Sequence, residues 1–97
     1  MSELTLSDDA ALAVPDHVLT RRAGGETVLM SLENERYYSL DGVGNRMWEL
    51  VESGATFGSV IGTLFDEFEV SRDMLVSDMT SLLTDLVGNG LVIVNQA

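Results

Sequence analysis

From residue 17 to residue 40 apolar and polar side chains alternate, and from residue 41 the apolar positions recur at helical spacing. The alternating part breaks into three short runs. His17–Arg22 (HVLTRR), Thr27–Leu32 (TVLMSL) and Arg36–Leu40 (RYYSL) each predict a β-strand, and the second is the richest in β-formers. Ala23-Gly24-Gly25-Glu26 and Glu33-Asn34-Glu35 separate them as tight turns, with Asn34 suited to a positive φ. Strands joined this closely form an antiparallel meander. In the third strand Tyr38 and Leu40 share one face, and Tyr37 and Ser39 share the other.

The helical part begins at Asp41, an N-cap candidate, and a first helix runs to about Glu52 with Val43, Met47, Trp48, Leu50 and Val51 on its buried side. Gly54 supplies the stop. Thr56 caps a second helix to about Phe68, with Phe57, Val60, Ile61, Leu64, Phe65 and Phe68 on one stripe. Ser71 caps a third, with Asp73 in the first turn, where the helix dipole favours an acid. That helix runs to about Val87 and ends at Gly88-Asn89-Gly90, after which Leu91–Val94 can form a last strand. The predicted fold is therefore α+β: a three-stranded antiparallel meander, three α-helices and a short C-terminal strand. Residues 1–14 (MSELTLSDDAALAV) read as a polar, flexible lead-in, and the domain proper spans 15–97, opening at Pro15.

Two elements carry more than a core requires. On the third helix Leu75, Met79, Leu82, Leu83 and Leu86 form a stripe that Val76 and Val87 widen, while Asp78 and Asp85 border it. Such a helix is either fully buried or serves the core and one wall of a groove with an acidic rim. Met74 and Met79 suit the groove, because methionine adapts to varied ligands. The third strand ends the meander and so lies at a sheet edge, where free N–H and C=O groups accept another strand. Only Arg36 carries charge there. The competing expectation is that the C-terminal LVIV segment or the lead-in covers this edge.

Composition narrows the function. In 97 residues there are 16 acidic side chains and 5 basic ones, a net charge of −11. A nucleic-acid binder neutralises phosphates with Lys and Arg, so this charge argues against nucleic acid and against an anionic membrane, and favours a basic or neutral partner. The absence of cysteine excludes disulfides, thiol catalysis and thiolate metal sites, and it suits a cytoplasmic setting. No signal peptide or membrane span is readable. His17 is the only histidine and reads as structural. The acids Asp66, Glu67, Glu69 and Asp73 lack calcium-loop spacing, and Gly42-Val43-Gly44 lacks the rest of a dinucleotide fingerprint. No catalytic residue, metal site or cofactor is read, so the chain is expected to bind and not to catalyse.

The order and spacing of Leu40-Asp41, Trp48-Glu49-Leu50-Val51, Gly54-Ala55-Thr56, Phe68-Glu69-Val70 and Leu86 through Val92 resemble the PqqD-like family, over roughly residues 15–94. The resemblance implies a winged helix-turn-helix-like domain adapted to peptides, the RiPP precursor peptide recognition element. It implies that the leader of a ribosomally made precursor docks as an added antiparallel strand, with apolar side chains entering the cleft towards the third helix. The site residues carried over are Arg36, Tyr37, Tyr38, Ser39 and Leu40 on the strand. On the helix they are Met74, Leu75, Asp78, Met79, Leu82, Asp85 and Leu86. The implied partners are the precursor leader, a cysteine leader peptidase and a cyclase. The segment Glu33–Asp41 is most similar to the discrete recognition proteins of lasso-peptide biosynthesis. The alternatives are PqqD itself, presenting the pyrroloquinoline quinone precursor to a radical SAM enzyme, and a winged-helix DNA-binding regulator.

Overall fold

The computed structural model describes residues 5–96. The first four residues of the lead-in and the last residue of the chain lie outside the described residues. Eight elements follow in order: β1 (Ala11–Ala13), β2 (Val18–Ala23), β3 (Glu26–Ser31), β4 (Tyr37–Asp41), α1 (Gly42–Glu52), α2 (Phe57–Glu67), α3 (Arg72–Gly88) and β5 (Ile93–Asn95). The expected meander is the antiparallel sheet β2-β3-β4. The expected third strand is thus β4, and the expected helices are α1, α2 and α3, within a residue or so at each end.

The register assigns the two faces of the sheet. Thr20, Leu29 and Tyr38 are cross-strand neighbours, as are Thr27 and Leu40, and these face the helices. Leu29, Thr27 and Leu40 are buried there. Trp48 of α1 lies on this face, fully buried, and its indole N–H donates to Thr20 Oγ1 at 3.2 Å. Burying a Trp costs least when its one donor is satisfied, and here the meander satisfies it. Thr27 is also fully buried, and its hydroxyl donates to Asn45 Oδ1 of α1. Arg22, on β2, reaches Glu52 at the other end of α1. Met47, Val51, Val60, Ile61, Leu64, Leu83 and Leu86 complete the core between the sheet and the three helices.

Local signals place the helix ends. Chain direction changes from strand to helix at Gly42, whose φ of +51° is open to glycine at little cost. Asp41 sits at the N-cap position, but its side chain makes no capping bond. Thr56 and Ser71 do cap: their hydroxyls accept from Ser59 N and Met74 N. The positive φ in the β3–β4 turn falls on Glu35 (+59°), not on Asn34. Asn34 instead uses its side-chain carbonyl to accept from Arg36 N at 3.0 Å, the alternative way an Asn shapes a turn. Phe65, expected on the buried stripe of α2, is 43% exposed, because the core contact of α2 is met by Phe57, Val60, Ile61 and Leu64.

The lead-in holds more structure than its pattern conveyed. Residues 11–13 form β1, which pairs antiparallel with β5 from Ala11↔Asn95 to Ala13↔Ile93. Ala10 and Leu12 are buried in the core. Upstream, the backbone lies over the start of α2: Phe57 N donates to Ala10 O (2.9 Å) and Gly58 N donates to Asp8 O (3.0 Å). These are first-turn N–H groups that an α-helix cannot satisfy internally. A Cβ on Gly58 would lie 2.9 Å from Asp8 Cβ and 3.0 Å from Asp8 O, so the strap fits only over glycine. Gly58→Ala is therefore expected to lower stability by about 1–3 kcal/mol through overpacking, read as an earlier urea midpoint. An unchanged midpoint would show that the strap contributes nothing.

Candidate functional site

The free edge of the main sheet follows from backbone pairing. Ser31 N donates to Arg36 O at 2.9 Å. In an antiparallel ladder the bonded pairs alternate with unbonded ones. With Leu29 opposite Tyr38 and Thr27 opposite Leu40, Tyr38 and Leu40 bond to β3. The N–H and C=O groups of Tyr37 and Ser39 point the other way, as does the N–H of Asp41, whose C=O belongs to the first turn of α1. Among the described residues the sheet order places no strand there, because β5 pairs with β1. The expectation that the LVIV segment or the lead-in covers β4 is thereby answered: the two segments pair with each other.

Helix α3 is the second wall. Its residues divide between core and solvent more sharply than the sequence stripe suggested. Leu75, Met79, Leu83 and Leu86 are buried and belong to the core. Leu82 is half-buried, Met74 is 64% exposed, and Asp78 and Asp85 are exposed. At 100° per residue, Met74, Asp78, Leu82 and Asp85 fall within one quadrant beside the buried stripe. Of the carried-over helix residues, then, Leu75, Met79 and Leu86 hold the wall up from inside, and Met74, Asp78, Leu82 and Asp85 present its surface.

The two walls meet at defined points. Leu82 and Leu40 both pack beside Gly44 of α1, where an added Cβ would lie 3.4 Å from Leu82 Cδ2 and 3.6 Å from Leu40 Cδ2. Gly44 is thus the floor between β4 and α3, and any side chain there would fill it. Tyr38 reaches across from β4, and its hydroxyl donates to Asp85 Oδ2 in a long contact of 3.4 Å. Arg36 Nη1 donates to Asn89 Oδ1 at 2.9 Å, and Asn34 Nδ2 donates to Asn89 O at 3.2 Å. One end of the cleft is therefore latched between the β3–β4 turn and the C-cap of α3. His17 adds to that end by donating through Nε2 to Gly90 O at 3.1 Å. The sequence reading missed Gly44 and Asn89, having weighed the first only against a dinucleotide fingerprint and taken the second as part of a helix stop.

Of the strand residues, Tyr38 and Leu40 face the helices, whereas Tyr37 is 69% exposed on the opposite face of the sheet, with Ser39 beside it. Tyr37 and Ser39 therefore border the site through their backbone groups. The acidic cluster noted in the sequence is partly neutralised at a distance from the cleft: Arg46 of α1 grips Glu67 of α2 through Nε (2.8 Å) and Nη2 (2.9 Å), which holds the Glu67 carboxyl below the usual range. Asp78 and Asp85 make no ion pair with a basic residue among the described residues, leaving the α3 wall negative. Among the described residues, no group of His, Cys, Asp and Glu is arranged to hold a metal, and no helix is long and apolar enough to cross a membrane. The cleft offers unpaired amides, an apolar floor and an acidic rim, which is a chemistry of holding an extended chain.

The Tyr38–Asp85 contact has a measurable signature. Burial pushes the Tyr38 phenol above its ordinary range, and the Asp85 charge and hydrogen bond push the same way. The folded state thus favours the neutral phenol. That contribution to stability is present below the ordinary phenol pKa and is lost as pH rises through the raised one. Absorbance titration of the phenols should place Tyr38 above the ordinary value. In Asp85→Asn the value should fall part of the way back, since burial, the larger cause, remains. No change on substitution would mean that the two groups do not meet in solution.

Known proteins share this fold. The family model described as coenzyme PQQ synthesis protein D (PqqD) matches residues 26–92. No curated protein matches the chain. Among solved structures, TbiB1 in complex with the TbiA(beta) leader peptide is 29% identical, with a TM-score of 0.79 over 82% of this chain and 93% of that one. A lasso peptide synthetase B1 complexed with the leader peptide shares the fold at 21% identity, with a TM-score of 0.75 over 84% of this chain and 96% of that one. The family match takes in β3, β4, all three helices and the whole of the cleft, and on it the chain belongs to the PqqD family.

Proposed function

We propose that this protein binds the leader region of a ribosomally synthesised precursor peptide, of the lasso type, by β-strand addition to β4. It then presents the peptide to maturation enzymes in the cytoplasm. The observation that carries the reading is the open edge of β4 lying beside the exposed stripe of α3. An extended leader pairing with Tyr37 and Ser39 satisfies their backbone groups. Every second leader side chain then points into the cleft, where Leu40, Gly44 and Leu82 receive an apolar one. Fully burying one such side chain contributes about 1.5–3 kcal/mol, so apolar anchoring dominates affinity. Asp78 and Asp85 add the choice of a basic neighbour, at about 0.2–1 kcal/mol for each exposed pair. Supporting leader recognition, TbiB1 is itself complexed with a leader peptide.

The maturation partners that fit this role are a cysteine leader peptidase and a cyclase, with the present chain contributing recognition and no bond-breaking chemistry. The description of the matching family favours a second reading, in which the bound peptide is the pyrroloquinoline quinone precursor and the receiving enzyme is of the radical SAM type. The two differ in the ligand and not in the site. Titration of fluorescent leader peptides from both precursor classes decides between them by which one saturates the protein.

Two variants test the mode of binding. Leu82→Asp should abolish leader binding while circular dichroism stays native. Ser39→Pro removes an outward-facing N–H without touching the ladder to β3, and should weaken binding by about tenfold or more if the leader adds as a strand. Full affinity in either folded variant contradicts this mode of binding. Raising salt to about 1 M should cost less than about a hundredfold in affinity, and a steeper loss would mean that charge outweighs apolar anchoring.

A further inference from the structure

At most of its positions in this chain glycine is placed by the backbone. Five glycines take a positive φ, and Gly58 passes beneath Asp8, where a Cβ would collide. Gly44 answers to neither constraint. It is the third residue of α1, and its φ lies outside the positive range. An added Cβ would lie 3.4 Å from Leu82 Cδ2, 3.6 Å from Leu40 Cδ2 and 3.8 Å from Leu40 Cβ, which are ordinary van der Waals separations. Alanine therefore fits the fold at this position. Within a helix alanine is also the more stable choice, because glycine loses more backbone freedom on folding and has no side chain to pack. The fold by itself gives no reason for glycine at 44, and the chain carries a stability cost there.

We propose that Gly44 is a specificity-determining residue for the leader. Its bare backbone makes a slot between Leu40 and Leu82 that takes a long apolar anchor (leucine, methionine or an aromatic ring) and discriminates against alanine and valine. The inference rests on leader recognition as proposed for the β4 edge. Two observations place the slot in the cleft. The first is the pair of side chains that flank the missing Cβ: Leu40 comes from β4 and Leu82 from α3, one from each wall. The second is burial. Gly44 and Leu82 are only half-buried, so the space opens to the cleft, whereas Met47 and Trp48 further along α1 are sealed in the core. Length then decides which anchor fits. The floor of the slot is main chain, lying deeper than the Cβ that any other residue would place there. A strand paired with β4 holds its side-chain roots at a fixed height, so a short side chain stops above the floor and forfeits its contacts. A long one reaches the floor and fills the slot. A methyl group at 44 reverses the preference, since apolar pockets sort side chains by differences of this size. The stability cost of the glycine is in this way tied to the choice of ligand, as is common at binding sites.

The test uses the full chain and the fluorescent leader peptide that saturates it in the titrations above. The same leader is also made with alanine at each apolar position of its pairing segment in turn. Gly44→Ala should keep native circular dichroism and a urea midpoint at or above that of the wild type, yet bind the unaltered leader about tenfold or more weakly. The leader that lacks its anchor should bind the wild type weakly and Gly44→Ala no more weakly than that. Gly62 in α2 supplies the matched control: its φ lies outside the positive range, and an added Cβ would meet nothing within 4 Å. Gly62→Ala should match or exceed the wild-type midpoint and retain full leader affinity. Full leader affinity in Gly44→Ala overturns the proposal while leaving leader recognition standing. So does an equal loss for every leader in the series, which would uncouple residue 44 from the anchor. A lowered urea midpoint in Gly44→Ala overturns it by showing that the fold itself needs the glycine, and weakened leader binding by Gly62→Ala overturns it by showing that the effect is not local. A wild-type protein that no leader saturates overturns the earlier reading instead.

Discussion

Near each end of the chain three residues, Ala11–Ala13 and Ile93–Asn95, hydrogen-bond to one another as a small antiparallel ladder. Every extended segment needs partners for its backbone groups, and this ladder meets that need for the two segments that could otherwise have joined the main sheet. Its consequence is the open side of β4. Had β5 returned along β4, the outward N–H and C=O groups of Tyr37 and Ser39 would have been consumed internally. The ladder also places Leu12 in the core and carries the chain past the N-terminus of α2, where Asp8 and Ala10 accept from its first-turn amides. One pairing choice thus both completes the packed unit and leaves the edge of β4 free.

The cleft is built by division of labour along α3. Residues a turn apart share a role: Leu75, Met79, Leu83 and Leu86 hold the helix to the core, and their neighbours Met74, Asp78, Leu82 and Asp85 line the surface beside it. Leu83 and Leu86 are fully buried while Asp78 and Asp85 remain wet. Because protein interiors are close-packed, the spacing between β4 and α3 is set by what stands between them, and Gly44 stands there with Leu40 and Leu82 packed beside it. Polar contacts then fix the end near the α3 C-cap, where Arg36, Asn34 and His17 converge on Asn89 and Gly90. The packed scaffold thus holds the β4 edge and the α3 face in a fixed relation.

Much of this was legible in the sequence because the signals are local. Alternation over 17–40 and helical spacing after Asp41 gave the element order, and Thr56 and Ser71 cap as their side chains predict. The wide stripe on α3 and the end position of β4 in the meander pointed to the two walls. What the sequence did not reveal depends on contacts between distant residues. β1 is three residues long and follows a polar stretch, so periodicity had too little length to register it; its stability comes from β5 and from burial of Leu12. The partition of the α3 stripe into buried Leu75, Met79 and Leu86 and half-open Leu82 needs the helix rotation, which only packing fixes. Phe65 fits a helical stripe by spacing, yet the neighbouring Leu64 already fills the place against the core. Asn89 acts through Arg36, more than fifty positions earlier, and no local pattern could pair them.

The terminal ladder has one more consequence, for the topology of the chain as a whole. Because Ala11 faces Asn95, and Gln96 hydrogen-bonds to both Ser7 and Thr5, the two ends of the described chain lie side by side. A short linker would join them without crossing the core, making the path of the backbone nearly a ring. Such a chain can be reopened at an exposed turn, and Gly24-Gly25 between β2 and β3 is one. The order of the elements along the gene is then separable from their arrangement in space, and the cleft belongs to the arrangement.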